Sequence, residues 1–336
     1  MADALLSPAV GGVMTAASAA ALGYAVKKIA GDKLDEKKIP MMGVMGAFVF
    51  AGQMINFTIP GTGSSGHIGG GILLAALLGP YPALLTLASV LLIQCLFFAD
   101  GGLLAYGCNV FNMGVTSCLL AYSFVFKPLT GKGLTRKRII AASVASVTLG
   151  LQAGAFAVVL ETLASGVTEL PFGAFLVLMQ PIHLAIGAVE GIVTAAVLCY
   201  VYGAQPEILD VHAAGTKIAA GVSTKKILAV FAALALVTGG GLSLFASAYP
   251  DGLEWSMEAL AGSAELERDT PLHAAAGGIV ESTAFMPDYG FAGDEEGSAF
   301  ATGTAGIVGS LITVALAGGA GFIIHAARKK PAAPQG

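Results

Sequence analysis

The chain has 336 residues, of which 56% are hydrophobic and only 11% charged, with a formal net charge of -4. Soluble globular chains carry about 25% charged residues, because that surface must face water. The composition therefore excludes an assembly of soluble domains and indicates an integral membrane protein, whose 46 glycines suit close helix packing in lipid.

An apolar helix needs about 20 residues to cross roughly 30 Å of hydrocarbon. Nine runs fit, one of them short, which predicts an all-α polytopic helical bundle of seven plus two spans. The first two are Pro8–Val26 and Pro40–Phe57. A polar, Gly-rich stretch, Thr58–Gly71, then leads into the short run Ile72–Leu78, broken by Gly79-Pro80-Tyr81-Pro82. Ala83–Phe98, Leu103–Phe126, Ile139–Ala164 and Phe172–Tyr202 follow, and Ile227–Ala248 and Ala299–His325 complete the set.

Of 17 Lys and Arg, 16 fall in four clusters, around residues 27–38, 127–138, 217–226 and 328–330, whereas 11 of 21 acids lie between Asp251 and Glu296. Basic clusters stay on the cytoplasmic side. The expected orientation has the amino terminus outside, the carboxyl terminus in the cytoplasm and the acidic stretch outside. Parity then requires a crossing between Thr58 and Lys127 that seven apolar residues cannot make alone. The loop Thr58–Gly71 is expected to dip into the membrane as irregular backbone, which is tolerated only where protein buries it or a cavity wets it.

Few residues carry candidate chemistry. Gly61-Thr62-Gly63-Ser64-Ser65-Gly66 fits G-x-G-x-x-G, but no strand is expected before it and no acid follows about 20 residues on, so it is no dinucleotide signal. No Walker lysine motif, H-E-x-x-H or G-x-S-x-G occurs, so any ATP-derived energy must come from another subunit. The four cysteines (Cys95, Cys108, Cys118 and Cys199) lie in apolar runs without C-x-x-C spacing and read as core residues.

His67, ending the dipping loop, reads either as a metal or substrate ligand or as a residue holding the loop by hydrogen bonds. Gln180, His183 and Glu190 share one helix face and read as a metal site or a hydrogen-bonded packing seam. Asp3, Asn56, Gln94, Asn109 and Asn112, with Asp100 and Met113 nearby, are expected to surround such a site or to cap helix ends. The stretch Pro250-Asp251-Gly252-Leu253-Glu254-Trp255 and its echo Met286-Pro287-Asp288-Tyr289 are expected on a solvated outer face. His212, His273 and His325 lack partners at ligand spacing and read as incidental.

Several separate segments resemble the CbiM/NikM family. They are Ala2-Asp3-Ala4-Leu5-Leu6-Ser7-Pro8, Gln53-Met54-Ile55-Asn56-Phe57, Gly66-His67-Ile68-Gly69-Gly70, Gly107-Cys108-Asn109-Val110-Phe111-Asn112-Met113 and His183-Leu184-Ala185-Ile186-Gly187-Ala188-Val189-Glu190-Gly191. The later segment with Pro250-Asp251-Gly252-Leu253-Glu254 resembles a PDGLE or CbiN/NikN-type small subunit. The resemblance implies a fused arrangement: a metal-binding unit over residues 1–203, a cytoplasmic linker over 204–226 and a two-span unit over 227–336.

It further implies the metal-binding membrane subunit of a cobalt or nickel energy-coupling-factor transporter in the plasma membrane. That subunit works with a transmembrane coupling protein and two cytoplasmic ATPases; it is not an enzyme and holds no cofactor. An intramembrane enzyme or a structural scaffold is the competing expectation, but no nucleophile or metal triad shows suitable spacing. In the family the ion is held by the amino terminus, with His at the second position, and by the loop histidine that matches His67. Nitrogen-only, nearly planar coordination suits Ni²⁺ or Cu²⁺. Here the chain begins Met1-Ala2-Asp3, without that second-position His, and the alignment implies a native start two residues before Met1.

Overall fold

The computed structural model describes residues 1–31, 35–167, 170–209, 223–263, 266, 270–291 and 298–329. It is predominantly helical, and six helices are long and apolar enough to cross a membrane. They are α1 (Pro8–Gly31), α4 (Pro80–Phe98), α5 (Tyr106–Thr130), α6 (Arg136–Ser165), α7 (Phe172–Ala204) and the last, α11, whose spanning part is Phe300–Ala327.

Two expected spans are shorter than their apolar runs. The helices α2 (Lys38–Gln53) and α8 (Lys225–Gly240) have 16 residues each, or about 24 Å at 1.5 Å per residue. Past Gln53 the apolar residues enter a strand instead, and past Gly240 they form a 3₁₀ turn, Leu242–Phe245. Consecutive glycines at 239–241 end α8, since glycine costs a helix about 1 kcal/mol relative to alanine.

The short third run is α3 (Gly71–Leu78), all eight of whose residues are buried. Gly70 precedes it with φ 77° and Gly79 follows with φ 91°, and Pro80 starts α4. Those two positive-φ glycines let the chain turn sharply at both ends of the helix, and at Gly70 a Cβ would also come within 2.5 Å of Val49.

The stretch before α3 is more ordered than irregular backbone. Strands β1 (Phe57–Ile59) and β2 (Ser64–Gly66) pair antiparallel, Thr58 opposite Ser65. Pairing satisfies amides that would otherwise be stranded away from water, and both Ser64 and Ser65 are fully buried.

Helix α5 is wide over Val110–Phe126, where it is π-helical, and its end follows suit with the Lys127 amide bonded to the Tyr122 carbonyl. The Thr116 and Ser117 hydroxyls bond back to the Asn112 and Met113 carbonyls. Gly150 and Gly154 of α6 lie against this stretch.

α2 is the central helix, with 12 of its 16 residues buried. α11 (Ala299–Lys329) crosses it closely: a Cβ on Gly43 would come within 2.9 Å of the Val314 carbonyl oxygen. On the same helix the Phe48 ring meets Phe231 of α8 edge-on at 5.0 Å. α8 and α11 touch backbone to backbone, as a Cβ on Gly239 would stand 2.9 Å from the Gly306 oxygen. Small residues permit such approach where no hydrophobic force separates helix from lipid. Gly239→Leu is therefore expected to destabilise the protein by about 1–3 kcal/mol through overpacking, read as a lower melting temperature in detergent; an unchanged melting temperature would refute the close crossing.

At the basic end, His325 Nε2 lies 3.1 Å from Glu36 Oε1, so this histidine ties α11 to the α1–α2 connection. His212 falls outside the described residues.

Candidate metal centre

A cavity of about 150 Å³ lies where β2, α5, α6, α7 and the amino-terminal segment converge. Met1, His67, Asn109, Asn112 and His183 line it, together with Asp251, Gly252 and Leu253 from the appended unit.

His67 follows β2. Its Nδ1 is 3.2 Å from the Ile68 carbonyl oxygen, an arrangement that in the neutral ring places the proton on Nδ1 and leaves the Nε2 lone pair for a ligand. His183 repeats the pattern, with Nδ1 2.8 Å from the Met179 carbonyl oxygen one turn earlier. Fixing one ring nitrogen by a carbonyl bond is how proteins orient metal-binding imidazoles.

The loop carrying His67 is held from behind. Glu190 Oε1 accepts from the Gly70 amide at 2.8 Å. Gln53 Nε2 donates to the Gly69 carbonyl at 3.0 Å, and Gln94 Nε2 donates in turn to Gln53 Oε1 at 2.9 Å. Glu190 thus acts on the loop's backbone directly and Gln94 through Gln53, and neither lines the cavity. Gln180 faces α6, where Gln152 Nε2 donates to its carbonyl at 2.8 Å. The face expected to carry Gln180, His183 and Glu190 together is therefore divided among three jobs.

The amino-terminal segment forms a 3₁₀ turn, Asp3–Leu5. Asp3 Oδ1 accepts from the Ala105 amide at 2.7 Å, and Asn109 Nδ2 donates to the Met1 carbonyl at 3.2 Å. Asn112 lines the cavity and donates to buried Glu161 at 2.7 Å. Asn56 lies apart from the cavity; its carbonyl accepts from the Ser247 amide at 2.7 Å.

The acidic segment is not the solvated face expected from sequence. The Ser65 amide donates to the Pro250 carbonyl at 2.8 Å, and Ser65 Oγ to the Tyr249 carbonyl at 2.7 Å. Asp251 caps helix α9 (Gly252–Ala261) and forms a capping box with Glu254. Burial and the charge of Asp251 push Glu254 above the usual carboxylate range. The echo Met286–Tyr289 docks too: the Tyr289 ring stacks on Phe98 at 5.0 Å and its hydroxyl bonds Asp100.

Sequence reasoning missed Asp251 and Gly252 as walls of the cavity. The available signal was local: Asp251 followed three residues later by Glu254 spells a capping box. A Cβ on Gly252 would lie 3.0 Å from His183 Cε1 and 3.1 Å from Ile186 Cδ1. Gly252→Val is expected to push α9 off the cavity and raise solvent access to His67, measured as faster modification of that imidazole by a histidine-selective reagent. An unaltered modification rate would show that the wall tolerates the side chain.

Among the described residues no three His, Cys, Asp or Glu side chains approach closely enough to hold a metal ion.

A small cavity lined by two imidazoles and an anchored amino-terminal segment, set among long apolar helices, marks a membrane protein. The sequence profile of the family described as cobalt uptake substrate-specific transmembrane region (CbiM) matches residues 1–208, and that of the PDGLE domain matches residues 225–326. The chain belongs to the CbiM family, a family of membrane transport proteins and not of enzymes.

Among its relatives, a putative fused nickel transport protein NikMN of Archaeoglobus fulgidus is 34% identical over 94% of this chain and 95% of its own length. The fused nickel transport protein NikMN of Rhodobacter capsulatus is 34% identical over 62% of each chain. A crystal structure of a truncated transition metal transporter superposes with a TM-score of 0.53 at 29% identity, covering 61% of this chain and 98% of that one.

Proposed function

We propose that this chain is the metal-binding component of an ATP-driven energy-coupling-factor transporter that imports Ni²⁺ or Co²⁺ across the plasma membrane. The single observation that carries the reading is the meeting of Met1 and His67 at one cavity. His67 supplies an imidazole nitrogen, and backbone and amine nitrogens of the amino-terminal segment supply the rest. Such a nitrogen-rich set suits late first-row divalent ions and not Mg²⁺, which prefers oxygen.

The metal-binding unit spans residues 1–203, and the two-span unit over 227–336 follows a cytoplasmic linker. The amino terminus lies outside and the carboxyl terminus in the cytoplasm, supported by the basic clusters. The chain crosses the membrane nine times, with α2, α3 and α8 completing the six longer helices. α3 and the β1–β2 hairpin share one crossing, supported by the complete burial of β2 and α3.

Tightly coordinated ions leave slowly, so release inward requires work. The sequence holds no nucleotide motif, so that work comes from two cytoplasmic ATPases acting through a transmembrane coupling protein.

The test is a thermal-shift series on the purified chain with Ni²⁺, Co²⁺ and Mg²⁺, paired with uptake into vesicles holding the chain with or without coupling protein and ATPases. Stabilisation by the first two ions alone, and uptake that requires the partners, are the expected results. Equal response to Mg²⁺, or uptake by the chain alone, would overturn the reading.

A further inference from the structure

His273, set aside by its spacing in the sequence, makes the most specific contact between the two units on the acidic side. It lies in α10 (Pro271–Thr283) and is only 6% exposed. Its Nε2 stands 3.1 Å from the carbonyl oxygen of Asp3 and 3.1 Å from that of Leu6. Two carbonyls offer no hydrogen, so Nε2 must carry the proton and donate to both. On the other side Nδ1 is 2.6 Å from Thr270 Oγ1, which also accepts from the His273 amide and caps α10. The ring is therefore oriented by its own helix through Nδ1, and its Nε2 proton is spent on the amino-terminal turn.

That turn needs fastening. Short terminal segments fray unless tied down, and this one is three residues long. Buried Leu5 and Leu6 anchor its far end. The first unit fastens it on one side through Ala105 and Asn109. His273 fastens the other, from a helix about 270 residues away in the chain.

We infer that His273 is a positioning residue for metal binding: by clamping the Asp3 and Leu6 carbonyls it holds Met1 in the cavity beside His67. The inference rests on the proposed metal site and assigns the appended unit a direct part in building it. His273 touches no ion; it restricts the segment that does. Loss of such outer partners costs a metal site about 10–100-fold in affinity.

The experiment titrates Ni²⁺ into the full chain and its His273→Ala, His273→Gln and His67→Ala variants, with hydrogen exchange of amides 2–6 measured on each metal-free protein. Glutamine retains an N–H donor at a similar reach. The expected result is a tenfold or greater loss of affinity and faster exchange at residues 2–6 in His273→Ala, both largely restored in His273→Gln, with the affinity lost in His67→Ala. Should His273→Ala retain affinity while His67→Ala loses it, the clamp is refuted and the site stands. If both retain it, the metal-site reading itself fails. A glutamine variant as weak as the alanine one, with unchanged exchange, would also refute the clamp, since the hydrogen bond would then not be what matters.

Discussion

Replacing His67 with alanine is expected to weaken Ni²⁺ or Co²⁺ binding by more than about a hundredfold, beyond the cost of losing an outer partner, while the protein remains inserted and folded. The fold should survive because the loop is held through its backbone. Ser65 bonds Pro250, Glu190 bonds the Gly70 amide and Gln53 bonds the Gly69 carbonyl. The imidazole itself makes one hydrogen bond, to the adjacent Ile68 carbonyl. Binding should not survive, because among the described residues no cluster of three potential side-chain ligands exists to take over. Calorimetric titration in detergent, with the metal-free melting temperature as control, gives the answer; unchanged affinity would remove His67 from the site.

A chain extended by Met-His ahead of Met1 is expected to bind the same ions far more tightly, by about two orders of magnitude, than the chain beginning at Met1. Met1 already lines the cavity, so added residues begin beside His67. The extension contributes a second imidazole and, with its amine and a backbone nitrogen, closes chelate rings on the ion. A single neutral imidazole is too weak and too unselective to hold a divalent ion; such sites use three or four ligands. Side-by-side titration of both forms, with mass spectrometry of the native amino terminus, decides the matter. Equal affinities would redirect the search to Asp3, Asn109 and His183.

Hydropathy located the six long apolar helices but neither where α2 and α8 end nor the short helices α9 and α10 of the acidic stretch. Met54, Ile55 and Phe57 continue an apolar run while the backbone changes from helix to strand, and periodicity over so few residues does not separate the two. The hairpin was legible only as a polar, glycine-rich anomaly, and the wide helix over Val110–Phe126 left no mark that propensity scales register. His67, Asn109, Asn112 and His183, singled out by type and place, do reach one cavity. Asp3, Asn56, Gln94, Gln180 and Glu190 serve backbone and packing instead. What stayed hidden were contacts between distant parts of the chain. Ser65 with Pro250, and Asp3 with His273, are separated by roughly 185 and 270 residues, and no local pattern encodes such a meeting.

The wall that Asp251, Gly252 and Leu253 lend to the cavity belongs to the same polypeptide as His67. Its closure is therefore a unimolecular event. Tethering replaces the bulk concentration of a partner with an effective concentration, in the millimolar range for short flexible links. The same contacts made by two separate chains would loosen whenever one was scarce in the membrane. Here the degree of closure is independent of how much protein the cell makes, and the two halves of the pocket are always present in equal number.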